Sequence, residues 1–472
     1  MAPLLFHGAV IHSVSLRELE ILTDALIVVD TSGQIVTFDK KISRQTVETI
    51  LGRFGEAAND NDDTDIVARI YRILLKLGRP EAHLLSRGEF LIPGFVDTHN
   101  HAPQWAMRGL GQGLHILDWL DQVTFPSEAR FADADHARAV YEDCVAGFLR
   151  QGITTASYYG SLHGEATCIL ADTCVRRGQR ALVGKCNMDR SAPDYYRDES
   201  AVTSLHETRA CIAHIRHIDP AGALVQPVLT PRFAVSCSAT LLRGLGDLAA
   251  AEQPPLPVQT HFAEAEQQVA ATQTLFPDFA SSEAGLYDHF GLLGPRTILA
   301  HCTVITDVDK DLLRLRGCGV AHCPIANMTV GGGFMAAPVR DLLRRGIPVG
   351  LGTDSGGGFS SSMLDTVRQA FVAANAREVA SGGNDKALSL AEGFHLATLG
   401  GAAVCGLAHK VGSFAIGKEF DASWIKTGDP SRGVMTMIWP EDGLETIFEK
   451  FIMTGDDRNI DRVYVRGVSV KY

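Results

Sequence analysis

Leu91-Ile92-Pro93-Gly94-Phe95-Val96-Asp97-Thr98-His99-Asn100-His101 reads as a buried strand that opens at its C-terminal end into two histidines. Side chains alternate between the two faces of a strand, so His99 and His101 point the same way. Two imidazoles aimed at one point suit a divalent metal such as zinc. An H-x-H pair is equally an ordinary pair of loop polar groups. Its meaning rests on the rest of the chain.

From residue 90 onward, short apolar strand candidates recur with helical stretches between them. After 90–97 come Ile153–Tyr158, Ala181–Cys186, Leu224–Leu229, Pro257–His261, Thr297–His301, Gly319–Cys323 and Pro348–Asp354. Asp135–Arg150, Glu264–Leu275 and Ala336–Arg345 carry helical periodicity. Eight strands alternating with helices predict an α/β protein, a (β/α)8 TIM-like barrel over 90–404, with its chemistry at the strand C-terminal ends.

The two ends of the chain read differently. Leu4–Ile11, Ala25–Asp30 and Gly33–Phe38 look like short antiparallel strands, as do Glu419–Ile425 and Arg462–Val468. Segments 1–89 and 405–472 are therefore expected to build one small β-sandwich beside the barrel. Within the first, 41–86 reads as an insertion with helical stretches at 42–57 and 65–77. The acidic run Asn59-Asp60-Asn61-Asp62-Asp63 between them lacks EF-hand spacing and reads as a solvated loop.

Lys and Arg total 43 against 55 Asp and Glu, a net charge of −12, which argues against nucleic acid or an anionic membrane as partner. Neither a secretory leader nor an apolar run of about 20 residues is evident. The 10 cysteines lack C-x-x-C pairs and fit a reduced compartment, the cytosol.

Polar residues fall where a barrel site needs them. His99 and His101 end the first strand, His261 the fifth, His301 the sixth and Asp354 the eighth. A catalytic zinc wants three or four N/O ligands and an open position. His99, His101, His261 and Asp354 are the expected ligands. His301 is either a further ligand or a group that polarises a substrate atom. Glu264, three residues after His261, is placed to move protons over the site or to serve as a dipole-favoured helix N-terminal residue. Gly331-Gly332-Gly333 and Gly356-Gly357-Gly358 lack the P-loop lysine pattern and read as mobile barrel loops.

Pro93-Gly94-Phe95-Val96-Asp97-Thr98-His99-x-His101, His261-x-x-Glu264, His301 and Asp354 together resemble the amidohydrolase superfamily. His101-Ala102-Pro103-Gln104, Thr230-Pro231-Arg232-Phe233, Ala321-His322-Cys323-Pro324 and Gly350–Asp354 with Gly356–Gly358 narrow the resemblance to its guanine deaminases. That resemblance implies one zinc per subunit, hydrolysis of guanine by water to xanthine and ammonia, and a homodimer. It makes His99, His101, His261 and Asp354 metal ligands, Glu264 a proton shuttle, and Glu264, His301 and Asp354 the catalytic groups. Gln104, Arg232 and Phe233 would recognise the purine, with His261, Glu264, His301 and Asp354 also at the substrate. Many superfamily members bridge two metals with a carboxylated lysine. Here the fourth strand ends in Leu229-Thr230-Pro231-Arg232, so a mononuclear site is expected; Lys185, at the end of the third strand, is the only nearby candidate for such a lysine and is otherwise a structural ammonium. The alternatives are another mononuclear amidohydrolase acting on a different aminated heterocycle, and a non-enzymatic barrel paralogue.

Overall fold

The computed structural model of the chain describes residues 2–53, 66–329, 335–429, 431 and 436–471. The acidic run at 59–63 and the glycines at 331–333 lie outside the described residues.

Eight parallel strands form the centre: Phe95–His101, Ile153–Tyr159, Arg180–Gly184, Val225–Pro227, Val258–Phe262, Thr297–His301, Gly319–His322 and Val349–Leu351. The first four pair in chain order, and so do the last four. A parallel bridge between Leu229 and Val258 joins the two halves. The remaining seam is closed by Thr98 Oγ1 donating to the Leu351 carbonyl at 2.8 Å and the Asp354 N–H donating to the His99 carbonyl at 2.9 Å. The ring is the expected (β/α)8 barrel. Both faces of its strands are covered, which is why they read as unbroken apolar runs.

Helices Ala134–Arg150, Gly164–Arg177, Ala201–Ile218, Ala239–Ala250, Glu266–Leu275, Asp307–Arg316 and Val339–Arg344 return the chain between strands, and Met363–Ala380 follows the eighth. Several start on a side-chain cap: the oxygens of Asp133, Ser200, Ser238, Thr306 and Ser362 accept from the first free N–H groups.

The stretch predicted as one strand over 90–97 is in fact divided. Glu89–Pro93 pairs with Ala422–Lys426 in a terminal sheet, whereas Phe95–His101 belongs to the barrel. Gly94 is the joint. Its N–H donates to the Asp421 carbonyl at 3.0 Å, and a Cβ there would stand 2.2 Å from the Thr154 side chain. An apolar run carries no mark of such a division, because both halves are buried.

The chain ends do combine. Leu4–Ser15, Glu18–Val29 and Ile35–Asp39 pair antiparallel, and Glu89–Pro93, Ala422–Lys426 and Ile460–Val465 extend the same sheet. The strands expected of a small sandwich hydrogen-bond as one connected eight-stranded sheet. One face closes over Phe6, Phe420, Trp424 and Tyr464. On the other face lie helices Arg44–Gly52 and Ile66–Leu77, whose Val47, Ile50, Ile70 and Leu74 pack on Leu5, Leu26 and Val28. The described part of the insertion thus covers an apolar sheet face that would otherwise meet water.

All ten cysteines are free thiols. No described helix is long and apolar enough to cross a membrane.

Candidate active site

The strand ends bring His99, His101, His261, His301 and Asp354 together, all buried. His101 Nε2 and His261 Nε2 are 3.0 Å apart, and Asp354 Oδ1 lies 3.3 Å from His99 Nε2 and 3.6 Å from His101 Nε2. The donor atoms of His99, His261 and His301 lie within 4.8 Å of one another, as do those of His99, His101 and Asp354. Tetrahedral bonds of about 2.1 Å space ligand atoms roughly 3.4 Å apart, so the cluster has the span of a single ion. Its chemistry asks for one. The Nε2 atoms of His99 and His301 are buried and have no hydrogen-bond partner. An unpaired buried nitrogen costs about 1–3 kcal/mol, which a cation at the centre offsets.

Outer bonds fix the imidazoles. His261 Nδ1 donates to the Arg232 carbonyl at 2.6 Å and His301 Nδ1 to Asn327 Oδ1 at 2.8 Å. Carbonyl oxygens only accept, so both rings carry the proton on Nδ1 and turn the Nε2 lone pair inward. Asp97 accepts from the His99 and Thr353 N–H groups, Thr353 Oγ1 and Asn100 Nδ2. It thereby locks the first strand end to the segment bearing Asp354. Asp354 lies three residues beyond the eighth strand, whose paired part ends at Leu351. His301 and Asp354 are both held at positive φ, +77° and +44°. Such conformations cost of order 1–3 kcal/mol for a non-glycine residue and persist where surrounding bonds over-determine them.

Burial pushes His99, His101 and His261 well below the usual histidine range, and the neighbouring imidazoles and Arg232 push the same way. Neutral imidazoles are the ligand form. Burial raises Asp354 to about 6 against the opposing pull of His301 and Arg232. Glu264 is raised by burial too, with His301 opposing and Asp354 adding to the effect. A divalent cation among them would favour the ionised carboxylates again.

These groups floor a cavity of about 370 Å³. His101, His261, Glu264 and Asp354 form its base, Gln104, Arg232 and Phe233 one wall, and Ile116, Trp119 and Leu120 an apolar side. Every predicted site residue except His99 and His301 lines it directly, and those two stand behind the base. Glu264 sits in the turn between Val258–Phe262 and Glu266–Leu275, ahead of the helix rather than on it, with Oε1 3.7 Å from His301 Nε2. A turn frees its side chain to reach over the base. Lys185 is bonded to Asp198 Oδ1 at 2.7 Å and to the Cys186 carbonyl at 3.2 Å, the structural ammonium expected of it. Gly356–Gly358, expected as a mobile loop, is buried: Gly356 N–H donates to Gln104 Oε1, and Gly357 lines the cavity.

Sequence reasoning missed Glu128. It lies in Phe125–Ala129, one turn of a continuous helical stretch that begins at Ile116 and passes through a π-type turn at Leu120–Thr124. Its carboxylate accepts from Arg232 Nη1 at 2.7 Å, Arg232 Nη2 at 3.2 Å, Gln104 Nε2 at 2.7 Å and Tyr196 Oη at 2.7 Å. The sole signal in the chain was an acid among apolar helical neighbours, which reads as a solvated position until its burial is known. The apolar side from Ile116 to Leu120 was missed because an apolar helical stretch reads as core and carries no mark of facing a cavity.

The Amidohydrolase family profile matches residues 90–470. A probable guanine deaminase of Schizosaccharomyces pombe is 39% identical over 98% of this chain and 82% of its own length. The guanine deaminase of Dictyostelium discoideum is 36% identical over 99% of this chain and 98% of its own. A crystal structure of guanine deaminase from C. acetobutylicum with guanine bound in its active site superposes with a TM-score of 0.84, at 31% identity, covering 99% of both chains.

Proposed function

The chain belongs to the amidohydrolase family, and on that footing we propose that it hydrolyses guanine to xanthine and ammonia with one zinc ion per subunit. The observation that carries this reading is the shared boundary of metal centre and pocket. His101, His261, Glu264 and Asp354 floor the same cavity whose wall is Gln104, Arg232 and Phe233. The similarity to guanine deaminases over nearly the whole chain supports the choice of substrate.

His99, His101, His261 and Asp354 would hold the zinc, since three imidazole nitrogens and a carboxylate are a donor set that zinc favours. Bound there, zinc supplies the Lewis acidity that makes water a nucleophile near neutral pH. Asp354 takes a proton from the attacking water as its oxygen bonds to the amino-bearing ring carbon. Glu264 delivers its proton to the adjacent ring nitrogen; as the carbon–nitrogen bond breaks, the proton held by Asp354 passes to the amine, which leaves as ammonia, and the new hydroxyl returns its proton to Glu264 as it becomes the carbonyl of xanthine. His301, beside Glu264, orients the reacting atoms. Phe233 offers an aromatic face to the flat base, and Gln104 and Arg232 offer directional donors to its edge.

The same proposal places catalysis in a barrel at 90–404, with 1–89 and 405–472 as a small β-domain, in a cytosolic homodimer serving purine catabolism. The free thiols fit that compartment. The test is ammonia release from guanine, adenine, adenosine and cytosine, with xanthine identified as product, before and after chelation. Turnover of guanine that chelator abolishes and zinc restores is expected. Inert guanine alongside turnover of another base overturns the substrate assignment, and metal-free protein that retains activity overturns the metal.

A further inference from the structure

Gln104 and Arg232 reach the cavity from different elements, one past the first barrel strand and one past the fourth, and nothing in their own segments fixes how they face it. Both are tied to one carboxylate. Glu128, fully buried, takes two bonds from the Arg232 fork and one from Gln104. An ionised carboxylate only accepts and a backbone N–H only donates. Glu128 on one side and the Gly356 N–H on the other therefore force the Gln104 amide into a single orientation, nitrogen toward Glu128 and oxygen toward Gly356.

Charge follows the same junction. Arg232 is buried, and without Glu128 its guanidinium would stand uncompensated beside the cavity. The Arg232–Glu128 pair makes a wall that is rich in donors yet carries no net charge, which suits a neutral base.

We propose that Glu128 is a positioning and specificity-determining residue: it orients the Gln104 and Arg232 donors and, by neutralising Arg232, makes the pocket prefer a neutral aminopurine over an anionic purine. This rests on the guanine reading, whose product, xanthine, loses a proton more readily than guanine. Glu128 thus speeds release of product as well as selecting substrate. It does not touch the reacting atoms; it acts through the two side chains it holds.

The experiment compares wild type with Glu128→Gln and Glu128→Asp, each loaded with zinc and checked for zinc content and melting temperature. In Glu128→Gln the guanine KM rises at least about tenfold, the scale of losing one partner of a buried charge pair. The inhibition constant of xanthine falls relative to that KM, more so at pH 8 than at pH 6. Glu128→Asp keeps the charge but withdraws it by one methylene, so KM rises while the ratio of xanthine inhibition constant to KM stays near wild type. A simple packing role would shift both constants by one factor in both variants, and that result overturns the inference. If Glu128→Gln does not fold, Arg232→Gln decides instead: it leaves the Glu128 charge unbalanced, so the xanthine inhibition constant rises relative to the guanine KM, more at pH 8 than at pH 6, and an unchanged ratio overturns the inference. Wild type inert toward guanine fails the functional reading instead, and calorimetric binding of xanthine to the same proteins still reads the charge of the wall.

Discussion

His261 and Arg232 are joined by a 2.6 Å hydrogen bond from the ring Nδ1–H to the main-chain carbonyl. One residue thus contributes its backbone to an imidazole of the histidine cluster and its guanidinium to the cavity wall. The two contributions separate on mutation. Arg232→Lys keeps the carbonyl and loses the planar fork. Zinc content should stay at wild-type level while kcat/KM for guanine falls about a hundredfold, a loss near 2.7 kcal/mol. Loss of zinc in this variant would show that the side chain, not the carbonyl, supports His261.

Glu264→Gln preserves shape and removes proton transfer. Turnover should drop by about 10²–10⁴, the usual share of general acid–base catalysis, with metal still bound. Activity within a few-fold of wild type would remove Glu264 from the mechanism.

Asn327 fixes the tautomer of His301 through a 2.8 Å bond. Asn327→Ala frees the ring, and kcat should fall about 10–100-fold with guanine KM changed little, the usual range for a group behind a metal-site histidine. Steady-state kinetics on zinc-replete protein read the split, and a change confined to KM would contradict the assignment.

The proposed zinc would offset the unpaired His99 nitrogen, and chelation would remove it. The melting temperature should drop on chelation and return with zinc, because a ligand of the native state stabilises by mass action. A melting curve indifferent to zinc would place the ion elsewhere or nowhere.

Acid stability turns on a group far from the centre. Burial works to raise Glu392, but the Arg340 fork at 2.6 and 2.8 Å, the Ser389 N–H and Arg17 outweigh it and hold the carboxyl at about 2. A folded value below the unfolded one stabilises the fold above the unfolded value near 4.5, and this is lost as pH falls toward 2. Urea midpoints of wild type and Glu392→Gln should differ most at pH 6, draw closer by pH 3 and converge only as pH reaches about 2. A gap of constant size would mean that the carboxylate charge contributes nothing.

Spacing and order alone pointed to the cluster of buried donor groups: His99 and His101 on one strand face, then His261, His301 and Asp354 at later strand ends. This worked because strand periodicity is local and the barrel places every C-terminal strand end on one rim. Boundaries were less legible. The apolar run around Gly94 hides a change of sheet, and Glu264 was read as part of a helix although it stands in the turn before it. Both errors arise where burial, not periodicity, sets the local structure.

The sequence by itself determined the barrel, the convergence of its histidines and the polar and aromatic residues that line the cavity beside them. Only the tertiary structure decided how those residues are held. Glu128 lies 24 residues from Gln104 and 104 from Arg232 along the chain, and no local pattern links them. Their bond exists because a helical segment folds over the barrel rim and buries one acid against one guanidinium, leaving the carboxylate no water to turn to.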